Sequence, residues 1–349
     1  MHSMLTLLAL SAMTGTAHAA TDGVCRTWGA PSPAATVDDD KVNQVSGIVA
    51  SRRYPGLLWA EEDAGSDPEL IALDSDGTKL NRVTVTGAEN TDWEDITLGP
   101  CPTNTADACG CLYLGDFGSN DGERTEGVVW VVPEPSPLDD QTVAATALRF
   151  SWPDGPHDAE ALFVHPVTGV ITVITKETTG PARLYRFPGT ALTPSSDTVE
   201  LLPVGTLDLG LAGSTGGRVT GGAISPLGDR LVIRTSADAL LYPLGAADVG
   251  TALQGDAERV TVHESTTGEA ITFSPDGERL LLVDEGPSPT VWQVACEDFE
   301  ATGTVDPDPL GACEDTTAPK GCACDESEGA PNLGILTGFF GAIVRRRRR

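Results

Sequence analysis

Positive charge is scarce in this chain. Its 349 residues hold 22 Lys and Arg against 51 Asp and Glu, a formal net charge of −29 at pH 7. A folded surface of that sign repels phosphate, which excludes nucleic acid and anionic membranes as partners of the globular part. Histidine is scarcer still, at five residues. Neither a Gly-x-Ser-x-Gly elbow nor a His-Glu-x-x-His string occurs, so the sequence carries no serine-nucleophile or zinc-protease signature. No amphipathic helical pattern lies between residues 46 and 295, which argues against a βαβ fold. What is present is turn-forming: 39 Gly and 25 Pro, with 40% hydrophobic residues to fill a core. That mixture suits a β fold with many turns.

The two ends read as addresses. Residues 1–20 contain an apolar stretch (4–13) and small residues ending Ala17-His18-Ala19, with no Lys or Arg ahead of the stretch. This is the pattern of a secretory signal cut after Ala19 or Ala20. At the other end an apolar run (333–344) is too short for a spanning helix, which needs about 20 residues. It precedes Arg345 to Arg349, which would stay cytoplasmic by the positive-inside rule. A Cys-containing linker, a short apolar segment and an Arg cluster, in that order, resemble the MYXO-CTERM type of sorting tail. The resemblance implies display at the cell surface, with Cys322 or Cys324 as the attachment point and membrane contact only through the tail before processing. The expected organisation is a signal at 1–20, a globular domain at 21–299, an acidic Cys-containing linker at 300–331 and the tail at 332–349.

Eight cysteines fit an oxidising compartment. Cys109-Gly110-Cys111 and Cys322-Ala323-Cys324 have one intervening residue, too few for ordinary zinc pairs, so disulfides are expected instead.

The middle of the chain repeats. Five segments share an apolar strand, a Pro- or Gly-rich turn and a second apolar strand, with starts at 46, 93, 158, 219 and 268. Each pair is followed by one or two further strand-like runs. Four short strands recurring at such intervals indicate an all-β fold, a β-propeller of antiparallel four-stranded blades. Five blades are counted; a sixth requires a divergent unit between 178 and 218. The fifth unit lacks its last strand, which residues 24–45 can supply, closing the ring. Cys25 then lies beside Cys296, where a disulfide would clamp the seam, and Cys101 with Cys109 or Cys111 would tie the insertion in the second unit. The strings SPLG (225–228) and SPDG (274–277) are tight turns between the first two strands of their units.

The strings SGIVASRRYPGLLWAEEDAG, NTDWEDITLGP, LYLGDFGSN, DAEALFVHP and GEAITFSPDG resemble a group of secreted bacterial propellers, loosely similar to phytase-like esterase and related calcium-binding propellers. The resemblance implies the fold. Where such relatives carry Asn-Asp-Ser-Gly, this chain has Glu62-Asp63-Ala64-Gly65, which weakens transfer of an activity.

In a propeller, the loops entering each inner strand and those leaving each second strand share one end of the ring. Here they carry mostly carboxylates, Asp158 among them. Clustered carboxylates repel unless cations or protons join them, and oxygen-rich sets favour Ca²⁺ or Mg²⁺. The expected ligands are Glu62, Asp63, Glu94, Asp95, Asp116, Glu160, Glu269 and Glu285. Lys176 and Arg234 are the exceptions, expected to hold an anionic group of a ligand. His157 borders this mouth as a solvent-exposed loop residue, and His165 sits in a turn at the far end. Two functions follow: an exported, monomeric binding module that captures a ligand or surface partner at an acidic, cation-binding mouth, or a metal-dependent esterase or phosphoesterase.

Overall fold

The computed structural model describes residues 21–304, apart from 103–109, 192, 194, 210–217, 236, 237 and 246. The expected signal, Cys109, the expected tail, and Cys322 and Cys324, expected as sorting cysteines, lie outside the described residues.

Five sheets of four antiparallel strands form the blades. From the inside outward, blade one is Val45–Ala50, Leu57–Glu62, Glu69–Asp74 and Lys79–Thr86. Blade two is Trp93–Gly99, Cys111–Asp116, Glu126–Pro133 and Thr146–Ser151. Blade three is Ala159–Val164, Val170–Thr175, Ala182–Thr190 and Leu202–Leu207, and blade four is Val219–Ile224, Arg230–Thr235, Asp238–Pro243 and Glu258–Thr261. Blade five takes Gly268–Phe273, Arg279–Asp284 and Thr290–Ala295, and its outermost strand is the N-terminal Ser32–Thr36. The inner strands contact one another in sequence, and that of blade five returns to that of blade one, so the ring closes. The chain is a five-bladed β-propeller.

Burial follows position in the blade. The inner strands of blades one to four are buried at every residue, whereas Lys79–Thr86 at an outer edge alternates. A strand covered on both faces needs apolar residues throughout, and a half-covered one only every second residue. The core is accordingly divided among the blade interfaces. Trp59, Trp93 and Leu114 fill the first, Tyr113, Phe150 and Leu162 the second, and Phe163, Leu184 and Leu231 the third. Val232, Leu241 and Phe273 fill the fourth, and Ile48, Leu73 and Val283 close the ring. The two SPxG strings turn as expected: Gly228 N–H donates to Ser225 O (2.9 Å) and Gly277 N–H to Ser274 O (2.8 Å).

The structure departs from the sequence expectations, or decides between them, in four places. The run after the third strand of blade three is two strands: Val199–Glu200 pairs parallel with the outer strand of blade two, and Leu202–Leu207 then forms the edge of blade three. Thr142–Ala144 laps in the same way, parallel, onto blade one. Cys101 is bonded to Cys111, not Cys109; Cys111 opens the second strand of its blade, and its Cα lies 5.0 Å from that of Cys101. Finally, Glu300–Thr304, placed by the sequence reading in the linker, is a strand paired antiparallel with Thr21–Val24. The expected Cys25–Cys296 bond is formed and spans 271 residues.

Candidate functional site: an acidic channel mouth

One irregularity recurs in every blade. The register of the two innermost strands shifts between Val45 and Gly47, Trp93 and Asp95, Ala159 and Ala161, Val219 and Gly221, and Gly268 and Ala270. The extra residues are Ser46, Glu94, Glu160, Thr220 and Glu269. A β-bulge re-aims side chains where pairing begins, and these five lie at one end of the ring. Ser46 Oγ donates to Glu94 O (3.0 Å) and approaches Glu94 Oε2 (3.3 Å), and Thr220 Oγ1 reaches Glu269 O (3.5 Å). The bulges draw neighbouring inner strands so close that a Cβ on Gly47 would stand 2.6 Å from Ile96 N, and one on Gly221 2.7 Å from Glu269 O.

Around this ring two trios of carboxylates meet. One oxygen from each of Asp63, Asp92 and Glu94 lies within 4.8 Å of the others, and the same holds for Glu94, Asp158 and Glu160. Oxygens on opposite sides of a Ca²⁺ with bonds of about 2.4 Å are about that far apart. Glu94 belongs to both trios. Asp92 Oδ1, Glu160 Oε2 and Glu269 Oε2 are buried without a hydrogen-bond partner. Gly118 lies against this set: a Cβ there would overlap Glu94 Oε1 and come 2.8 Å from the Asp92 carboxyl carbon.

The electrostatics match the crowding. Burial, then Asp63, pushes the Asp92 carboxyl up to about 7. Burial pushes Glu269 to about 7 as well, with Glu285 and Asp63 adding to it against Lys176. Glu94 is raised strongly by burial, then by Glu160, Asp63 and Asp92; Glu160 is raised strongly by burial against the pull of Lys176. Glu285 and Asp158 are raised chiefly by burial. Lys176 is the counter-charge. Its Nζ forms an ion pair with Glu160, and its backbone N–H donates to Asp158 O (2.9 Å). Burial opposes its charge, but Glu160, Glu269 and Glu94 raise its pKa.

Of the expected ligands, Asp63, Glu94, Glu160, Glu269 and Glu285 gather here, with Lys176. Four other expected site residues are spent on the scaffold. Glu62 accepts from Asn43 N–H (2.9 Å) and pairs with Arg82 (2.9 Å). Asp95 accepts from Ile96 N–H (2.9 Å) and Leu162 N–H (2.8 Å), tying blade two to blade three. Asp116 accepts from Arg124 (2.8 Å), Trp130 Nε1 (3.2 Å) and Asp92 N–H (3.2 Å), so it positions Asp92 and is no free ligand. Arg234, fully buried, donates to Ala270 O (2.6 Å) and Val283 O (2.7 Å) and pairs with Asp284 (2.5 Å), joining blade four to blade five. It is not available to an anionic ligand. His157 is buried, not exposed. Its ring lies among Asp154 (3.1 Å), Glu177 (3.3 Å) and the Tyr185 hydroxyl (2.9 Å).

Asp92 was absent from the expected set, and Asp158 was placed at the mouth without a ligand role. The signal for Asp92 was available: it directly precedes the bulged pair Trp93-Glu94. At the far end of the inner strands a small pocket of about 20 Å³, room for one water, lies among Val49, Ile96, Ala223 and Phe273. A cleft of about 550 Å³ opens beside His165, Gly228 and Val249, away from the carboxylates.

No family model matches this chain, and no curated protein matches it in sequence. Solved structures with a similar course include Raptor of Chaetomium thermophilum (11% identity, TM-score 0.41, 80% of this chain and 30% of that one). A nidogen/laminin complex matches at 11% identity and TM-score 0.41, over 70% of this chain and 73% of the other. The RRP9 WD40 repeats match at 10% identity and TM-score 0.40, over 77% and 99%. The chain thus spans under a third of the Raptor chain. At these scores the architecture rests on the sheets described above, and the likeness to phytase-like esterase propellers rests on the sequence strings alone.

Proposed function

We propose that this protein is an exported binding module whose propeller captures a ligand or surface partner through a divalent cation, Ca²⁺ or Mg²⁺, held at the channel mouth. The observation that carries this reading is the convergence of Asp63, Asp92, Glu94, Asp158, Glu160 and Glu269 with buried carboxylate oxygens left unpartnered. An unpaired buried carboxylate is costly. A hard cation satisfies several such oxygens at once, and a ligand with its own oxygens would complete the shell. The ring-closing disulfide and the Cys101–Cys111 bond support an oxidising destination.

Calorimetric titration with Ca²⁺ and Mg²⁺ tests the reading. Wild-type protein is expected to release or absorb heat, and Glu94→Gln, which touches both trios, to lower affinity roughly 10–100-fold. No heat with either ion would overturn it. Hydrolysis of an ester or phosphoester panel by the loaded protein would replace binding with the hydrolase alternative. Surface-labelled protein that keeps Arg345 to Arg349 would remove the sorting-tail part of the reading.

A further inference from the structure

The two carboxylate trios share Glu94 but differ in what already sits on them. Two cations bridged by one carboxylate, about 3.5–4 Å apart, are the arrangement that phosphoester-cleaving two-metal sites use. The second trio, Glu94, Asp158 and Glu160, already has a cation: Lys176 Nζ is paired with Glu160. The main chain of the lysine is anchored beside the same trio, its N–H donating to the carbonyl of Asp158. Glu160 is 2% exposed, so its ion pair is held in a low-dielectric environment. The first trio feels Lys176 only through its charge on Glu94 and has no ion pair of its own. Among the described residues, no Lys, Arg or His side chain forms an ion pair with Asp63, Asp92 or Glu94. The guanidinium whose charge acts on Asp92, that of Arg124, is committed to Asp116 (2.8 Å). Asp92 Oδ1 is buried and has no hydrogen-bond partner.

We infer that Lys176 acts as a built-in second cation, so that the mouth takes one divalent ion, on Asp63, Asp92 and Glu94, and not a pair. This rests on the cation-binding reading above and deepens it. A divalent ion on the second trio would have to settle beside an ammonium that Glu160 already holds, and like charges that close in a dry site repel strongly. A single ion next to a lysine suits capture of an oxygen-bearing ligand. It lacks the paired clamp on attacking and leaving oxygens that two-metal phosphoester cleavage relies on.

Native mass spectrometry of the intact chain with Ca²⁺ reads the stoichiometry directly. One ion per chain is expected for wild type and two for Lys176→Met. No ion on wild type would overturn the cation reading and this inference with it. Two ions on wild type, or one on a folded Lys176→Met, would overturn the inference alone. Should Lys176→Met fail to fold, Asp92→Asn and Asp158→Asn decide the matter with the lysine in place. Asp92→Asn is expected to weaken Ca²⁺ binding roughly 10–100-fold, and Asp158→Asn, outside the occupied trio, to weaken it less. The reverse order would place the ion on the second trio and refute the assignment.

Discussion

Asp95 and Arg234 lie next to the mouth and bind nothing but the protein. Asp95 is 1% exposed and accepts backbone N–H groups from its own inner strand and from that of blade three. Burial pushes its carboxyl strongly upward, and the N–H bonds of Leu162, Ile96 and Gly222 pull it back. Removing the acceptor leaves buried donors unpaired, at about 1–3 kcal/mol. Asp95→Ala is therefore expected to lose that much stability, and Asp95→Asn, which keeps one acceptor oxygen, to lose less. Urea denaturation checks this; equal losses would mean that the hydrogen bonds are not what matters. Arg234 is the mirror case, a cation held by carbonyls of the next blade. From sequence both look like site residues, because charge at a strand end carries no mark of the direction it faces.

At the scale of strands, the repeat was legible and the bulges were not. Paired apolar runs around Pro- or Gly-rich turns located every inner pair, because burial on two faces leaves a compositional trace. A bulge adds one residue and so reverses which side chains face the axis. Glu94, the extra residue of its bulge, faces the mouth, while its neighbour Asp95 bonds to backbone. The lapped strands Thr142–Ala144 and Val199–Glu200 were equally hidden, since a pairing of two or three residues has no periodicity to read. The ring-closing strand was foreseen from the missing fourth strand of the last unit. Its bond to the chain's far end through Cys25–Cys296 suggests a firm test. Replacing both cysteines with Ser is expected to cost about 2–5 kcal/mol. Proteolysis should then begin at Ser32–Thr36; wild-type protease resistance in the double variant would count against the clamp.

For the molecule as a whole, the mouth makes stability depend on pH. The folded carboxyls of Asp92 and Glu269 titrate near 7, above their ordinary values. The folded chain therefore holds protons that the unfolded chain releases from about pH 4 upward, so their contribution is full below that and fades as pH rises through 7. Metal-free protein is expected to melt at progressively lower temperature from pH 5 to pH 8. Saturating Ca²⁺ should reverse the loss, by about 2.7 kcal/mol at a hundred times the dissociation constant. A melting temperature that climbs over this range without metal would contradict the account. Ring closure by Ser32–Thr36 has a further consequence, for biogenesis. This segment leaves the ribosome before any blade exists, yet its docking edge, Thr290–Ala295, is among the last parts of the ring made. It must wait as an orphan through most of synthesis. Its sequence, Ser-Pro-Ala-Ala-Thr, is small and interrupted by proline, a poor template for premature self-association during that wait.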